Sequence, residues 1–228
     1  MKKILFACMA ALLFCLPMKS DDDVWGRARY TNIGYSFAQT GDDINPVDKG
    51  QFGVSITKGR TFLFPNKAVA DIVKFGFDVN FTDISFAKYK KVTNLDPDFS
   101  EGEGSWFSDL GKMSVMLGVA GIGPNVTVAP FARMDNAARY VKASVYFHYQ
   151  PTFGIYMASL DDDMEAAFAY CNMFQFGGKV TWKNWGLGVE GHWGSGKFKR
   201  LEFDEGFGFG GKIKRKFANT RLYLSLDF

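Results

Sequence analysis

The chain has 228 residues, with 27 Lys and Arg against 24 Asp and Glu and a formal net charge of +3. Removing Lys2, Lys3 and Lys19 with an N-terminal leader leaves bases and acids equal in number, which gives no electrostatic case for a nucleic-acid partner. Cys8 and Cys15 fall in the same leader, so Cys171 stands alone in the mature chain and an internal disulfide framework is excluded.

Residues 1–20 read as a secretory signal peptide. Lys2 and Lys3 make the positive start, and Ile4–Leu16 is an apolar run too short to span a bilayer. The cut falls within or just after Leu16–Ser20, where no clean A-x-A precedes Asp21. A lipoprotein signal is the weaker reading: Phe14 before Cys15 is not small, and Cys8 has almost no apolar run ahead of it. Residues 21–228 then form one domain, because no composition break or linker divides them. They hold no apolar run of about 18 residues, hence no transmembrane helix.

Period-two alternation recurs instead. It is weak along 28–37, 51–62 and 113–128. Along 73–81, Val73, Phe75, Phe77, Val79 and Phe81 share one face, and Lys74, Gly76, Asp78 and Asn80 share the other. Along 141–150, Val141, Ala143, Val145, Phe147 and Tyr149 oppose Lys142, Ser144, Tyr146, His148 and Gln150. Phe174, Phe176, Val180 and Trp182 oppose Gln175, Lys179 and Thr181 along 174–182. Along 187–195, Leu187, Val189 and Trp193 oppose Glu190 and His192, with Ser195 joining them only if the frame slips near Gly194. In Thr220–Phe228, Leu222, Leu224, Leu226 and Phe228 oppose Arg221, Tyr223, Ser225 and Asp227, so that 217–228 completes eight predicted strands.

A C-terminal strand of this pattern, ending on an aromatic at Phe228, resembles that of Gram-negative outer-membrane β-barrels, whose assembly machinery reads it. Gly53–Phe64 (GVSITKGRTFLF), Lys74–Tyr89 (KFGFDVNFTDISFAKY), Gly123–Pro130 (GPNVTVAP), Tyr146–Pro151 (YFHYQP) and Leu187–Lys197 (LGVEGHWGSGK) are similar to a family of small secreted outer-membrane barrels, mostly without assigned activity. With the alternation, this implies an all-β fold: a transmembrane antiparallel up-and-down barrel of eight strands. Ten is the alternative, if 129–139 or 203–214 pairs as an extra hairpin. Both termini are expected in the periplasm beside shorter connections at 63–71, 129–139 and 183–186. The long polar segments 38–50, 88–111, 151–172 and 196–216 are expected outside as loops.

Lys74, Asp78, Lys142, His148, Lys179, Glu190, His192, Arg221 and Asp227 are expected to point into the barrel. Eight strands leave just enough room for side chains, so these charges read as a paired polar plug, with a narrow ion path as the alternative. Leu222, Tyr223, Leu224, Leu226 and Phe228 carry the assembly-strand signal.

Motifs for chemistry are incomplete. Gly191–Lys197 nearly completes a phosphate loop, but Phe198 stands where Ser or Thr is needed. Gly206, Gly208 and Gly211 match a dinucleotide fingerprint without its strand and helix. Asn80 and Asn125 head glycosylation patterns in barrel segments and are discounted. A lipid-modifying enzyme would need Ser two residues from His on one strand; His148 has Tyr146 and Gln150 there, and His192 has Glu190 and Gly194. No catalytic residue, cofactor or metal site is assigned. The acidic groups Asp96, Asp98, Glu101 and Glu103, then Asp161, Asp162, Asp163 and Glu165, then Glu202, Asp204 and Glu205, read as solvated loop carboxylates without EF-hand spacing. Lys197, Lys199, Arg200, Lys212, Lys214, Arg215 and Lys216 form a basic counterpart on the last loop, read as a solvated loop, with anionic lipid headgroups as the alternative it would suit. Cys171 is placed in the third loop, where an exposed thiol would be able to cross-link two copies.

The expected function is structural or interactive, through the long loops, with a narrow pore and a lipid-modifying enzyme as alternatives. Expected partners are outer-membrane lipids and lipopolysaccharide, the barrel-assembly machinery, and another outer-membrane protein or an extracellular ligand.

Overall fold

A computed structural model describes residues 24–26, 29–41, 48–64, 68–89, 112–160, 163–202 and 208–228. Residues 1–20, Asp96, Asp98, Glu101, Glu103, Asp161, Asp162, Asp204, Glu205 and Gly206 lie outside the described residues. So do the side chains of Asp163, Glu165, Arg200, Glu202 and Lys212.

Eight antiparallel strands close into a barrel in simple sequence order: β1 (Arg29–Gly41), β2 (Asp48–Leu63), β3 (Val73–Tyr89), β4 (Lys112–Val128), β5 (Val141–Leu160), β6 (Asp163–Trp182), β7 (Trp185–Glu202) and β8 (Gly208–Asp227). Closure satisfies every edge, which a sheet in hydrocarbon requires. It runs to the last residue: Phe228 N–H donates to Arg29 O at 2.8 Å, and Arg29 N–H donates to Phe228 O at 3.1 Å. The segment 129–139 forms turns leading into a short 3-10 helix, Ala137–Tyr140, and 208–214 belongs to β8. The barrel therefore has eight strands and not ten.

The strands run longer than the alternation predicts. β5 and β6 have 20 residues each and are separated only by residues 161–162, so 151–172 is mostly strand and not a loop. Much of 196–216 is likewise strand, and so are 38–41 and 48–50; of the expected loop 88–111, residues 90–111 lie outside the described residues. Pro151 explains part of the shortfall. It reads as a strand end, because it cannot donate a ladder hydrogen bond. In the barrel it sits where the β4–β5 register shifts, between the pairs Gly118↔Thr152 and Ile122↔Tyr149. No β4 residue is registered opposite Pro151 there, and a break in the ladder is where a strand accommodates proline.

That irregularity is two-sided. The β2–β3 register skips Phe81, and on β4 Ala120 takes a left-handed conformation with φ 51°. β3 and β4 each carry one extra residue at the same level, so their mutual register stays constant while both inward frames reverse. Asp78 and Asn80 face inward below the bulge, and Asp83, Ser85, Ala87 and Tyr89 above it.

The outer wall is apolar and aromatic. Phe75, Phe81, Phe176, Val180, Trp182 and Leu187 are among many large apolar side chains about half exposed or more. In water such a surface would be a severe aggregation liability; against lipid it is the required face. The polar residues line the inside.

Candidate functional site

The lumen is filled in two storeys. Three cross-strand pairs make room for the lower one: Tyr30 lies opposite Gly59, Tyr146 opposite Gly177 and Tyr223 opposite Gly188. A Cβ on any of these glycines would run into the paired ring. Each tyrosine folds over its glycine and carries its hydroxyl toward the barrel axis.

Nearest the termini, Lys179 Nζ pairs with Asp227 Oδ1 at 2.7 Å, with Ser225 Oγ 3.3 Å away and the Tyr30 ring centroid 4.5 Å away. The Tyr30 hydroxyl lies 2.6 Å from Asp78 Oδ2 and 2.5 Å from Asn80 Oδ1, and Thr61 donates to Asp78 Oδ1 at 2.5 Å. His148 Nε2 stands 3.1 Å from Asp78 Oδ2, within ion-pair distance though without hydrogen-bond geometry. Its ring stacks on Tyr146 at 4.9 Å between centroids. Asn80 Nδ2 donates to Gln175 Oε1 at 2.8 Å, and Gln175 Nε2 donates to Glu190 Oε2 at 2.6 Å.

Glu190 is the hub. Its Oε2 also accepts from the Tyr146 hydroxyl at 2.7 Å, and that hydroxyl touches Tyr223 OH at 2.8 Å. Its Oε1 lies 3.0 Å from His192 Nε2 and 3.2 Å from Arg221 Nη1. Arg221 Nη1 reaches both oxygens of Asp83, at 2.9 and 2.8 Å. The chain of contacts thus runs from β8 through β6, β1, β3 and β5 to β7, spanning the barrel. Asp78, Glu190 and Arg221 are all buried. Such charges are tolerable in a low-dielectric interior only because each meets a partner.

Above this layer the lumen turns apolar. Ala38, Ala87, Tyr89, Tyr156, Ala169, Cys171, Met173, Phe198 and Phe217 form one buried cluster. Between the storeys is a small cavity of about 30 Å³, with Asp83, Arg221, His192 and Gln150 on its polar side and Met173 and Phe217 on its apolar side. Among the described residues, Gln150 Nε2 and Arg221 Nε have no hydrogen-bond partner.

The residues read from the sequence fall as follows. Asp78, Lys142, His148, Lys179, Glu190, His192, Arg221 and Asp227 are buried inside. Lys74 is only half-buried, its Nζ 5.1 Å from the Trp25 ring centroid. On the last strand Tyr223 points inward, Leu222 is exposed on the wall, and Leu226 is covered. Asn80 and Asn125 are buried in the lumen. Gly191–Lys197 lies within strand β7. The frame does not slip at Gly194: His192, Gly196 and Phe198 are buried and Ser195 is exposed, so Ser195 and His192 occupy opposite faces. Cys171 is fully buried in the upper cluster, not exposed in a loop.

Sequence reasoning missed Asp83, Tyr30, Asn80's bridging role and Gln175 as a link. Asp83 was recoverable, because Asp83, Ser85, Ala87 and Tyr89 alternate cleanly with Ile84 and Phe86 once Phe81 is skipped. Among the described residues no group of three or more His, Cys, Asp or Glu side chains is disposed to hold a metal ion.

No family model matches the chain, and no curated protein matches it. Solved structures do resemble it. Neisserial surface protein A is 11% identical with a TM-score of 0.46, over 88% of this chain and 97% of that one. Ail, the attachment invasion locus protein of Yersinia pestis, is 12% identical with a TM-score of 0.41, over 89% and 99%. The outer membrane protease OmpT of Escherichia coli is 9% identical with a TM-score of 0.44, over 88% and 97%. Likenesses this distant carry no activity across. The closed wall, apolar outside and polar inside, is that of an outer-membrane β-barrel.

Proposed function

We propose that this chain, freed of residues 1–20, is a non-enzymatic and non-conducting barrel of the Gram-negative outer membrane. It acts in envelope structure or interaction through the surface it presents outside the cell. The observation that carries this reading is the layer of contacts filling the lumen, in which the Lys179–Asp227 pair meets the Tyr30 ring and Tyr30 leads by hydrogen bonds through Asn80, Gln175 and Glu190 to Arg221 and Asp83. The apolar cluster above it adds a second barrier to ions. Strand parity favours periplasmic termini, with Phe228 handed to the barrel-assembly machinery and the connections at 42–47, 90–111, 161–162 and 203–207 outside. Outer-membrane lipids and lipopolysaccharide then surround the wall, and any protein or extracellular ligand meets the outer rim.

The experiment compares detergent survival of cells lacking the barrel, cells with it, and cells in which residues 90–111 are replaced by a short Gly-Ser turn. Sensitivity on loss, rescued by the intact barrel alone, supports the reading. Full rescue by the shortened barrel, or no change on loss, overturns it.

A further inference from the structure

The β5–β6 hairpin is taller than the hydrocarbon it crosses. Its register runs without a shift from Val141↔Trp182 to Leu160↔Asp163. At the rim nearest the termini, Trp182 Nε1 donates to Ala137 O at 3.1 Å and Lys183 Nζ lies 5.4 Å from the Trp182 ring centroid. An aromatic girdle of this kind marks one edge of the apolar belt. Strand residues tilted as in a barrel rise about 2.6 Å each along its axis, so a belt of about 25 Å ends ten residues higher. There the wall turns polar: Asn172 is exposed and accepts from the Tyr149 hydroxyl at 2.6 Å. Trp185 and Leu226 are registered beside Trp182, and the same count on β7 and β8 reaches Ser195 and Lys216.

Above that step β5 and β6 become apolar again. Phe153 and Ile155 are 40% exposed and Phe168 38%, with Leu117 of β4 registered beside Phe153 and Tyr170 opposite it on β6. Phe153 stacks on Phe168 at 6.1 Å between centroids and meets Tyr170 edge-on at 5.6 Å. Five side chains exposed to this degree present on the order of 400 Å² of contiguous apolar surface. Ile155 and Phe168 pair fourteen residues above Val141 and Trp182, about 10 Å beyond the polar step. Lipid does not explain them. Lys197 and Lys214 are exposed on the wall only twelve residues above Trp185 and Leu226, and a belt thick enough to cover the aromatic pair would bury both charges in hydrocarbon.

We propose that this patch receives a second copy of the chain, in a dimer whose twofold axis stands along the membrane normal beside β5 and β6. A copy inserted the same way up in the same membrane carries the same patch at the same height, which is the self-complementarity a twofold contact needs. β5 of one protomer then faces β6 of its partner. Two patches cover about 800 Å², roughly half of a standard interface, and the wall directly below, at Tyr149, Asn172 and Phe174, supplies the remainder. Above the belt the contact is driven by exclusion of water, a force that lipid does not supply between the same walls lower down. The dimer forms whichever rim faces the cell exterior, so its failure leaves the role proposed above untouched.

The test uses the refolded barrel in phosphatidylcholine vesicles with lipid in large excess. On oxidation, the Cys171→Ala/Ile155→Cys variant gives mostly disulfide-linked dimer. Cys171→Ala/Phe52→Cys, whose thiol lies on the exposed wall four strands away, stays single. Native mass spectrometry of the wild-type barrel in mild detergent, across a concentration series, shows the dimer. Phe168→Lys raises its dissociation constant roughly tenfold or more, and Phe52→Ala leaves it unchanged. Heat-modifiable gel migration shows that each variant is folded. A single copy at every concentration, cross-linking at position 52 equal to that at position 155, or a Phe168→Lys variant that dimerises as the wild type does overturns the proposal.

Discussion

Arg221 and Asp83, 138 residues apart in sequence, meet inside the barrel, with Arg221 Nη1 2.9 and 2.8 Å from the two carboxylate oxygens. The same nitrogen reaches Glu190 at 3.2 Å, so one buried cation neutralises carboxylates from β3 and β7. Replacing Arg221 with Met removes the charge at similar length and leaves two buried acids uncompensated. The expected loss is about 3–5 kcal/mol, read as a lower urea midpoint for unfolding from lipid vesicles. Adding Asp83→Asn to that variant should recover part of it. A midpoint unmoved by Arg221→Met would show that the pair contributes nothing to the fold.

The tyrosine–glycine pairs make a sharper prediction, because only one methyl group is added. In Gly188→Ala the new Cβ meets the Tyr223 ring, and backbone hydrogen bonding to both neighbours leaves the strand little freedom to move. Overpacking of this kind costs about 1–3 kcal/mol. Gly191→Ala on the same strand meets only the edge of the Trp193 ring, at an ordinary 4.0 Å, and should be neutral or slightly stabilising. Equal effects at the two sites would sink the packing argument.

At the paired irregularity of β3 and β4, Ala120 holds a left-handed conformation at φ 51°. Glycine adopts that conformation without steric penalty, so Ala120→Gly should raise stability by up to about 1 kcal/mol. Deleting Phe81 should still give a folded barrel, since β3 then alternates regularly with Asp78, Asn80, Asp83 and Ser85 all inward, but a less stable one, because the β4 irregularity at Ala120 loses its counterpart. Heat-modifiable migration reports both outcomes.

Cys171 is fully buried within the upper lumen cluster, opposite Gly196. A bulky maleimide should label it far more slowly in the folded barrel than in urea, and oxidation of folded protein should give no disulfide-linked dimer. Rapid labelling of the folded form would place the thiol elsewhere.

Much of this architecture is legible in the sequence where strands lie against lipid, because there the outer face must be apolar and the inner face polar. The stretches 141–150 and 174–182 have the inward sets that alternation assigns to them. Legibility fails for three physical reasons. Phe81 breaks the count, so Asp83 drops out of the inward set although it anchors Arg221. Pro151 mimics a strand end, because the compensating irregularity lies on β4 and not beside it in sequence. The upper lumen is apolar, so Ala169, Cys171, Met173 and Phe198 reverse the inward-polar rule and make that part of β6 and β7 read as loop. Contacts such as Tyr223 over Gly188 depend on register, which periodicity alone does not fix.

The central claim is that the lumen is closed, and single-channel current across a planar bilayer containing the refolded barrel tests it most directly. The wild-type protein should be silent while running as a folded, heat-modifiable species. The Glu190→Ala/Arg221→Ala variant, which removes the hub and its cation, should be the first to show openings if it folds. Steady conductance steps from the wild-type barrel, altered by Glu190→Ala, would contradict the account and make the bonded layer the lining of a pore.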